Sequence, residues 1–365
     1  MKKKRLIVCL DGLGYAEISK DKTPFLYSFA KKNYIARLKT LLAFTGIEYS
    51  FFNGNLPDDH KVFLEFKYSP KTSCFKWQKY FWFLGRNFLS YTTALFQYIF
   101  SKGYLTKLYS IPLNIIHNFD VSTKKGPWDL KMFKNKNYVL FKWPLLVKNG
   151  KKTLKLFNYS DFKRCQLIIN SISKNIDLYA VHLVELDKVA HKHGKDTFKY
   201  TQQIKKLDKL AKFLVTNFKK KIPDIEVIFW SDHYFINIKK IINIKNLLPK
   251  SNDYLVFIGG TSLSFWFKNK KIKKTIINLL KKIKEGYILT EKERKKYNIP
   301  TNIENGELIF VVKPGNYIFP NYYQAKIPYK AMHGYEPDKY NSDGILITDI
   351  KLKKKSYSLD EIINL

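Results

Sequence analysis

Cysteine is scarce in this chain. Of 365 residues only three are cysteines, Cys9, Cys74 and Cys165, and no two of them form a C-x-x-C pair. An odd number of distant thiols excludes both the disulfide framework of a small secreted domain and a paired-cysteine zinc site. The cysteine content therefore indicates a protein of a reducing compartment.

Long apolar runs are also missing. The basic N-terminal stretch MKKKRLIVCL has only five apolar residues before Asp11, too few for the core of a signal peptide. The longest apolar-leaning run without charge, residues 87–101, falls short of the roughly 20 residues that a membrane-spanning helix needs. We expect a cytoplasmic protein without a signal peptide or a transmembrane helix.

Acidic residues are few. Asp and Glu number 30 against 66 Lys and Arg, which gives a formal net charge of +36. Such an excess suits phosphorylated substrates, anionic lipid or nucleic acid. Because the lysines are scattered and no nucleic-acid-binding motif accompanies them, we expect a lysine-rich surface and no specific nucleic-acid binding. With 45% hydrophobic residues, the chain is expected to fold rather than stay disordered.

Apolar runs of strand length alternate with helical patterns along the chain. Arg5–Leu10, residues 176–184, residues 225–230 and Gly344–Thr348 are short apolar runs, typical of strands buried in a parallel sheet. A further strand is expected over residues 38–44. The pattern predicts an α/β fold with a mostly parallel central sheet and helices on both faces.

Two segments interrupt this pattern. Residues 61–148 are rich in aromatics, as in FKWQKYFWFLGRNFLSYTTALFQYIF, and residues 252–330 combine short strand-like runs with a lysine-rich helix. We expect a single catalytic domain over residues 1–365, with 61–148 inserted as a lid or cap and 252–330 as a second, smaller insertion. The aromatic stripe is typical of a helix face that packs on the core, and peripheral contact with a membrane surface is the alternative.

Acidic and imidazole side chains follow the predicted strands. Asp11, Asp232 and His233 come directly after buried strands, while Asp187 and His191 have the i, i+4 spacing that places both on one helical face. Because the carboxyl ends of parallel strands meet at one edge of a sheet, these side chains are expected to converge. The full candidate set is Asp11, Thr45, Asp187, His191, Asp232, His233 and His333. Its three carboxylates, three imidazoles and one hydroxyl suit two divalent ions, with Zn²⁺ favoured and Mn²⁺ as the alternative.

In their order along the chain, these motifs resemble those of the alkaline phosphatase superfamily, and most closely its type I phosphodiesterase/nucleotide pyrophosphatase branch. The matching stretches are CLDGLG, LLAFTGIEY with NGNLPDDH behind it, ELDKVAHKHG, WSDH and AMHGYEP, which run from residue 9 to residue 337. The resemblance implies an alkaline-phosphatase-like fold and a phosphoric ester hydrolase. It implies that one zinc ion is held by Asp187, His191 and His333, and the other by Asp11, Thr45, Asp232 and His233.

The resemblance further implies that Thr45 is the catalytic nucleophile, which attacks phosphorus to form a phosphothreonine that water then hydrolyses. The backbone N–H of Gly46 is expected to hold a non-bridging phosphate oxygen. The family's diesterases usually place an Asn downstream of the nucleophile. This chain has LEFKYSP there, and Lys67 is the candidate replacement for phosphate binding. Tyr234 stands where a Gly commonly follows the Ser-Asp-His run.

The substrate class is left open between phosphorylated small molecules, nucleotides and glycan- or lipid-linked phosphoesters. The enzymatic alternative is a phosphomonoesterase or a transferase of phospho-substituents that uses the same Thr45. The non-enzymatic alternative is a lipid- or glycan-binding protein on an inactive scaffold. Three further histidines are given simpler interpretations: His182 as a packed core residue, and His60 and His193 as loop residues or residues behind the ligands.

Overall fold

The structure, a computed structural model, describes residues 3–42, 47–81, 83, 92, 110–123, 126, 129–142, 145–149, 151–154, 159–337 and 343–365. Its helices are α1 (Pro24–Lys32), α2 (Ile47–Asn53), α3 (Pro57–His60), α4 (Gln78–Phe81), α5 (Asp161–Asn170), α6 (Glu185–His193), α7 (Phe198–Lys221), α8 (Lys270–Lys281) and α9 (Glu291–Lys296). Its strands are β1 (Arg5–Leu10), β2 (Tyr34–Lys39), β3 (Phe66–Tyr68), β4 (Phe119–Val121), β5 (Tyr138–Lys142), β6 (Leu145–Lys148), β7 (Lys151–Leu154), β8 (Leu178–Leu183), β9 (Glu226–Trp230), β10 (Ile236–Asn237), β11 (Lys240–Ile242), β12 (Tyr254–Ile258), β13 (Ser262–Phe267), β14 (Gly286–Ile288), β15 (Leu308–Val312), β16 (Asn316–Ile318), β17 (Ala331–Met332), β18 (Gly344–Thr348) and β19 (Ser356–Ser358).

A nine-stranded sheet in the order β19-β2-β18-β9-β1-β8-β5-β6-β7 organises the described part of the chain. Its middle is parallel, because β1 pairs with both β8 and β9, and β5 pairs with β8. Strand β18 runs antiparallel to β2 and β9, and β5, β6 and β7 form an antiparallel meander. The predicted α/β fold with a mostly parallel central sheet is confirmed.

Helices cover both faces of this sheet. Successive side chains of a strand point to opposite faces, so the continuous apolar run of β1 contributes side chains to two separate cores. Val8 packs in the core that contains α1, α5 and α7, whereas Cys9 packs on the side of α2. On the α2 side, the Phe51 ring stacks on Trp230 with the ring centroids 3.9 Å apart. Because both faces of β1 are buried, polar and apolar residues do not alternate along it.

The strand that precedes residue 45 lies earlier than predicted. β2 ends at Lys39, whereas the apolar run LLAF suggested a strand over residues 38–44. The strand stops there because its partners end: Leu38 pairs with Gly344, the first residue of β18, and Lys39 pairs with Ser358, the last residue of β19. Among the described residues the ladder therefore ends at Lys39, and residues 43–44 of the predicted strand lie outside the described part of the chain.

The region 252–330 contains a second sheet of four strands in the order β12-β13-β15-β14. Helix α8 packs on this sheet through Ile276 and Leu280, while its Lys270, Lys271 and Lys274 are exposed. The region 61–148 is described only in part, and β5, near its end, belongs to the central sheet. The division into a catalytic domain and two insertions stays a prediction.

The longest described helix is amphipathic. α7 is 24 residues long, and Ile204, Leu207 and Leu214 on one side of it are buried. Lys205, Lys206 and other lysines cover the opposite side. Among the residues that the structure describes, no helix has both the length and the apolar character that crossing a membrane requires.

Candidate metal centre

The candidate ligands lie where three neighbouring strands end. Asp11 follows β1, Asp187 lies in the first turn of α6 after β8, and Asp232 and His233 follow β9. β1 lies between β8 and β9, and all three run parallel, so their carboxyl ends share one edge of the sheet. His333 comes directly after β17, which pairs with β10 just beyond His233. The topology thus brings these side chains to one place from distant parts of the sequence.

Asp11, Asp232 and His233 form one group of ligand atoms. His233 Nε2 lies 3.2 Å from Asp11 Oδ1 and 3.4 Å from Asp232 Oδ2. Two ligand atoms that are each about 2.0–2.1 Å from a tetrahedral ion stand roughly 3.3 Å apart, so this spacing fits a shared ion. Asp11 Oδ1 is also buried and has no well-aligned hydrogen bond within the described residues, although His233 Nε2 lies 3.2 Å away. A buried carboxylate oxygen without a donor is costly unless a cation occupies the position that it faces.

Asp187, His191 and His333 form the second group. Asp187 Oδ1 lies 3.3 Å from His191 Nε2 and 3.9 Å from His333 Nε2. The two groups adjoin, because His233 Nε2 is 3.9 Å from the same Asp187 oxygen. Within Asp11–Asp232–His233, and within Asp187–His233–His333, the ligand atoms all lie inside 4.8 Å of one another. The structure therefore brings six of the seven predicted metal ligands into one cluster.

A hydrogen bond behind His191 fixes which of its nitrogens faces the cluster. Its Nδ1 donates to the carbonyl oxygen of Ala331 at 2.9 Å, which leaves Nε2 with the lone pair toward Asp187. Tyr329 stacks on the same ring with the centroids 4.1 Å apart. A ligating histidine characteristically donates its other N–H in this way, which sets both the tautomer and the ring orientation.

A hydrogen bond from Gly12 orients Asp232, as the hydrogen bond to Ala331 orients His191. The backbone N–H of Gly12 donates to Asp232 Oδ1 at 3.2 Å, so the other oxygen, Oδ2, faces His233. Gly12 has φ +77°, and a Cβ at this position would lie 2.5 Å from the ring of Phe235. Both the left-handed backbone and the close approach of that ring require glycine after Asp11.

Burial and crowding shift the pKa values of the cluster in opposite directions. Burial, reinforced by the charge of Asp11, raises the pKa of Asp232 to about 6. Burial lowers the pKa of His233, but Asp232 and Asp11 outweigh it and raise the pKa to about 9. For Asp11, burial is outweighed by His182 and His233, which hold its pKa well below the usual range. Burial and the neighbouring imidazoles hold the pKa of His333 well below its ordinary value, which favours the neutral, metal-ligating form.

The donor set fits a pair of divalent cations. Nitrogen and oxygen donors in this ratio suit Zn²⁺, and Mn²⁺ accepts the same types. Three carboxylates held close together in a buried site repel one another, and positive charge between them removes that repulsion. The buried and unbonded Asp11 Oδ1 and the ligand spacings near 3.3 Å both favour this arrangement.

Three predicted site residues lie outside the cluster or outside the described residues. Thr45 and Gly46 are not among the described residues, so their roles stay predictions. The Nζ of Lys67, on β3, donates to both carboxylate oxygens of Glu304, at 2.9 and 3.0 Å. Lys67 also lines a cleft of about 570 Å³ next to Tyr49. Its charge is therefore paired within the protein, and its contact with phosphate stays a prediction.

His182 is not merely a packed core residue, as its place in a predicted strand suggested. Its Nε2 donates to Asp11 Oδ2 at 2.8 Å, and its Nδ1 lies 3.4 Å from Glu48 Oε1. In the β1–β8 register, His182 is directly opposite Cys9, two residues before Asp11. The sequence signal that could have identified it is a single polar residue inside an apolar strand that neighbours the strand of a predicted ligand.

Tyr234, in place of the common Gly, packs against the turn after β1. A Cβ on Gly14 would lie 1.9 Å from the Tyr234 ring, so the glycine makes room for the larger side chain. The Nζ of Lys195 lies 4.6 Å from the centroid of the same ring. The replacement is therefore accommodated by a glycine and a cation, not by displacement of His233.

Comparisons with known proteins agree with this architecture. The sequence profile of the type I phosphodiesterase / nucleotide pyrophosphatase family matches residues 5–336. Solved structures of similar fold include human ectonucleotide pyrophosphatase / phosphodiesterase 5, with a TM-score of 0.73 and 15% identity. An inactive variant of the murine protein in complex with AMP has a TM-score of 0.71 and 15% identity. Each of the two alignments covers 99% of this chain and 93% of the other. At such low identity the likeness shows the fold, and no curated protein matches the chain at a significant level.

Proposed function

Because the chain belongs to the type I phosphodiesterase/nucleotide pyrophosphatase family, we propose that it is a two-metal hydrolase of phosphodiester or pyrophosphate bonds that acts through Thr45. The observation that supports this most is the buried cluster of carboxylates and imidazoles at the carboxyl ends of β1, β8 and β9. A solvated surface patch would not have ligand-to-ligand spacings near 3.3 Å together with hydrogen bonds that orient Asp232 and His191.

Two neighbouring ligand sets are proposed. Asp11, Asp232 and His233 would hold one ion with Thr45, and Asp187, His191 and His333 would hold the other. Divalent ions bound there would stabilise negative charge on the attacking and leaving oxygens of an in-line displacement. The hydrogen bonds from His191 to Ala331 and from Gly12 to Asp232 hold the ligands in place before substrate arrives, so little reorganisation is needed during the reaction.

Thr45 is the proposed nucleophile. It occupies the nucleophile position of the family motif in LLAFTGIEY, two residues before the first residue of α2. Its Oγ1 would form a bond to phosphorus as the bond to the leaving oxygen breaks, its proton would pass to solvent, and the leaving oxygen would take a proton from solvent. Water then displaces the threonine oxygen, which regenerates the hydroxyl and releases the phosphorylated product. The N–H of Gly46 is proposed to donate to a non-bridging phosphate oxygen.

Nucleotides are the proposed substrate class. The AMP complex of the murine structural neighbour supports this choice, and so does the net charge of +36, which attracts anionic substrates. Glycan- or lipid-linked phosphoesters are the alternative substrates. They share the phosphodiester group that the cluster would act on and differ only in the organic part.

A panel of three chromogenic esters tests the proposal. The purified chain is incubated with Zn²⁺ or Mn²⁺ and then with bis-p-nitrophenyl phosphate, p-nitrophenyl phosphate or a p-nitrophenyl ester of a nucleotide. We expect the nucleotide diester to be hydrolysed fastest, and a chelator to stop the reaction. Faster turnover of the monoester would favour a phosphomonoesterase. Two bound ions without hydrolysis of any of the three esters would refute the hydrolase and favour a binding protein.

A further inference from the structure

The two carboxylate oxygens of Asp11 face different partners. Oδ1 lies 3.2 Å from His233 Nε2, inside the candidate metal centre. Oδ2 accepts a hydrogen bond of 2.8 Å from His182 Nε2, on the neighbouring strand. The terminal torsion of an aspartate is broad, so an unrestrained carboxylate samples many rotations about its last bond. The contact with His182 therefore fixes the rotation of the Asp11 carboxylate, with one oxygen held by the imidazole and the other facing His233.

The other ring nitrogen of His182 faces Glu48. The distance from Nδ1 to Glu48 Oε1 is 3.4 Å, and Glu48 lies in the first turn of α2, on the face of the sheet that also packs Cys9. The imidazole is thus held between two carboxylates, one from the strand end and one from the helix. The cavity beside the ring, which Cys9 and Trp230 also line, has only about 10 Å³ of space, roughly enough for one water molecule.

We propose that His182, supported by Glu48, is a positioning residue that sets the orientation of Asp11 toward one of the two ions. The inference rests on the proposed function, since it takes the cluster to be a metal centre. Through His182, the proposed metal ligand Asp11, which follows β1, is linked to α2, the helix that begins two residues after Thr45. The same contact therefore couples the position of Asp11 to the segment that carries the proposed nucleophile. Hydrogen-bonding partners behind the ligands typically change metal affinity by about 10–100-fold when they are removed.

A third ion bound by Cys9, His182 and Asp232 is the competing arrangement, because their ligand atoms lie within 4.8 Å of one another. The distances favour the hydrogen bond. Ligand atoms of one tetrahedral ion stand roughly 3.3 Å apart, whereas His182 Nε2 is 2.8 Å from Asp11 Oδ2, a usual hydrogen-bond length. The nitrogen nearest to the cluster is therefore already engaged with a carboxylate.

Two amide variants distinguish the contact that His182 makes through Nε2 from the one that it makes through Nδ1. The terminal nitrogen of Gln reaches about as far as Nε2, and that of Asn about as far as Nδ1. His182→Gln should therefore keep a donor to Asp11, and His182→Asn should keep only the contact with Glu48. Affinity for Zn²⁺ is measured by competition with a chromogenic chelator, together with the number of ions per chain. We expect His182→Asn to weaken one of two ions by about 10–100-fold and to leave the other unchanged. His182→Gln should retain most of the wild-type affinity.

Two controls accompany these variants. His117→Asn makes the same substitution at a histidine whose described ring contact is with Asn118, and it should bind both ions as the wild type does. Glu48→Gln removes the charge that faces His182, and it should weaken the same ion by several-fold. If His182→Asn does not fold, as judged by circular dichroism, Glu48→Gln and His182→Gln provide the test, and equal affinities in wild type and Glu48→Gln then overturn the proposal.

Two other results overturn the inference. If His182→Asn folds and binds both ions with wild-type affinity, the contact with Asp11 has no positioning role. If the wild type binds three ions and Cys9→Ser loses the third, together with a thiolate-to-Co²⁺ charge-transfer band, His182 is a ligand instead. Both readouts are made without substrate. A chain that binds two ions but hydrolyses no ester would therefore refute the proposed function alone, and a hydrolytic chain with unchanged affinities would refute the positioning role alone.

Discussion

The imidazole ring of His233 lies flat against that of His333, with the ring centroids 3.5 Å apart and 4° between the ring planes. The Nε2 atoms of both rings are 3.9 Å from the same oxygen, Asp187 Oδ1. In the proposed centre the two histidines hold different ions, so the stack brings the two sites side by side. Paired ions roughly 4 Å apart are the arrangement that clamps both ends of a phosphoryl displacement. Two charged imidazoles would repel in this stack, and the lowered pKa of His333 removes that repulsion.

Replacement of Thr45 separates catalysis from metal binding. We expect Thr45→Ala to lower kcat on a nucleotide p-nitrophenyl ester by roughly a thousandfold or more, because the attacking oxygen is lost. The Zn²⁺ content should stay at the wild-type value, since Asp11, Asp232 and His233 remain. Thr275→Ala, which removes a hydroxyl bonded to the Lys271 carbonyl on exposed α8, is the matched control and should be fully active. Wild-type turnover by Thr45→Ala would disprove the nucleophile assignment.

The strand-end ligands could be predicted from the sequence because a simple rule connects them. An apolar run followed by Asp or Asp-His marks the end of a buried strand, and parallel strands share their carboxyl edge. The rule predicts that Asp11, Asp187, Asp232 and His233 lie together, and the fold that it requires is confirmed. Thr45 depends on the same rule, but it lies outside the described residues.

A lone polar residue in an apolar strand marks His182 as unusual, but its contact with Asp11 could not be predicted, because that contact depends on strand register. Its position opposite Cys9 follows from the pairing of Arg5 with Leu178, which nothing local in either strand specifies. The end of β2 has the same cause, since Lys39 is the last residue with a partner on β19. The run Gly344–Thr348 was predicted as a strand with the observed bounds, but its antiparallel direction depends on how the chain returns to the sheet.

Two histidines on α6 provide a matched pair for testing metal ligation. His191 and His193 lie on one helix, but only the ring of His191 is described in contact with Asp187. We expect His191→Ala to lose about one metal ion per chain, and His193→Ala to bind as many ions as the wild type. Metal analysis of the three proteins after dialysis decides the question. Full occupancy in His191→Ala, or equal loss in both variants, would rule out His191 as a specific ligand.

His60 should make the protein sensitive to acid. Burial lowers its pKa to about 4, and the neutral ring accepts a hydrogen bond from the Val62 N–H at 3.1 Å while its Nε2 lies 3.0 Å from Ser50 Oγ. The unfolded chain, with an ordinary pKa of 6.5, binds more protons than the folded one between pH 6.5 and pH 4. Stability therefore falls as the pH drops through this range, by about 3 kcal/mol at the lower end.

The variant His60→Gln measures this contribution, because the amide cannot become charged. Urea unfolding is followed at pH 7 and at pH 4.5 for both proteins. We expect the loss of unfolding free energy on acidification to be smaller in His60→Gln than in the wild type. His193→Gln changes a histidine at the end of α6 whose pKa is also lowered, by burial and by Lys199 and Lys192, so its acid sensitivity should fall between those of the wild type and His60→Gln. An identical acid sensitivity of His60→Gln and wild type would show that His60 is not the group responsible.

Removal of the metal ions should destabilise the fold by a calculable amount. An ion that binds only the folded chain and is present at 100 times its Kd stabilises it by about 2.7 kcal/mol. Unfolding entropy is about 2.1 cal/mol/K per residue, so over 365 residues this stabilisation corresponds to roughly 3.5 °C in Tm for each ion. Chelation also exposes Asp11 and Asp232 to each other's charge, which adds to the loss. Scanning calorimetry with Zn²⁺ and with EDTA measures the difference.

In Asp187→Asn, which should lose one of the two ions, the chelator should lower Tm by about half as much as in the wild type. An equal decrease of Tm in both proteins would mean that Asp187 binds no ion, because the chelator lowers Tm only by removing ions that the folded chain binds.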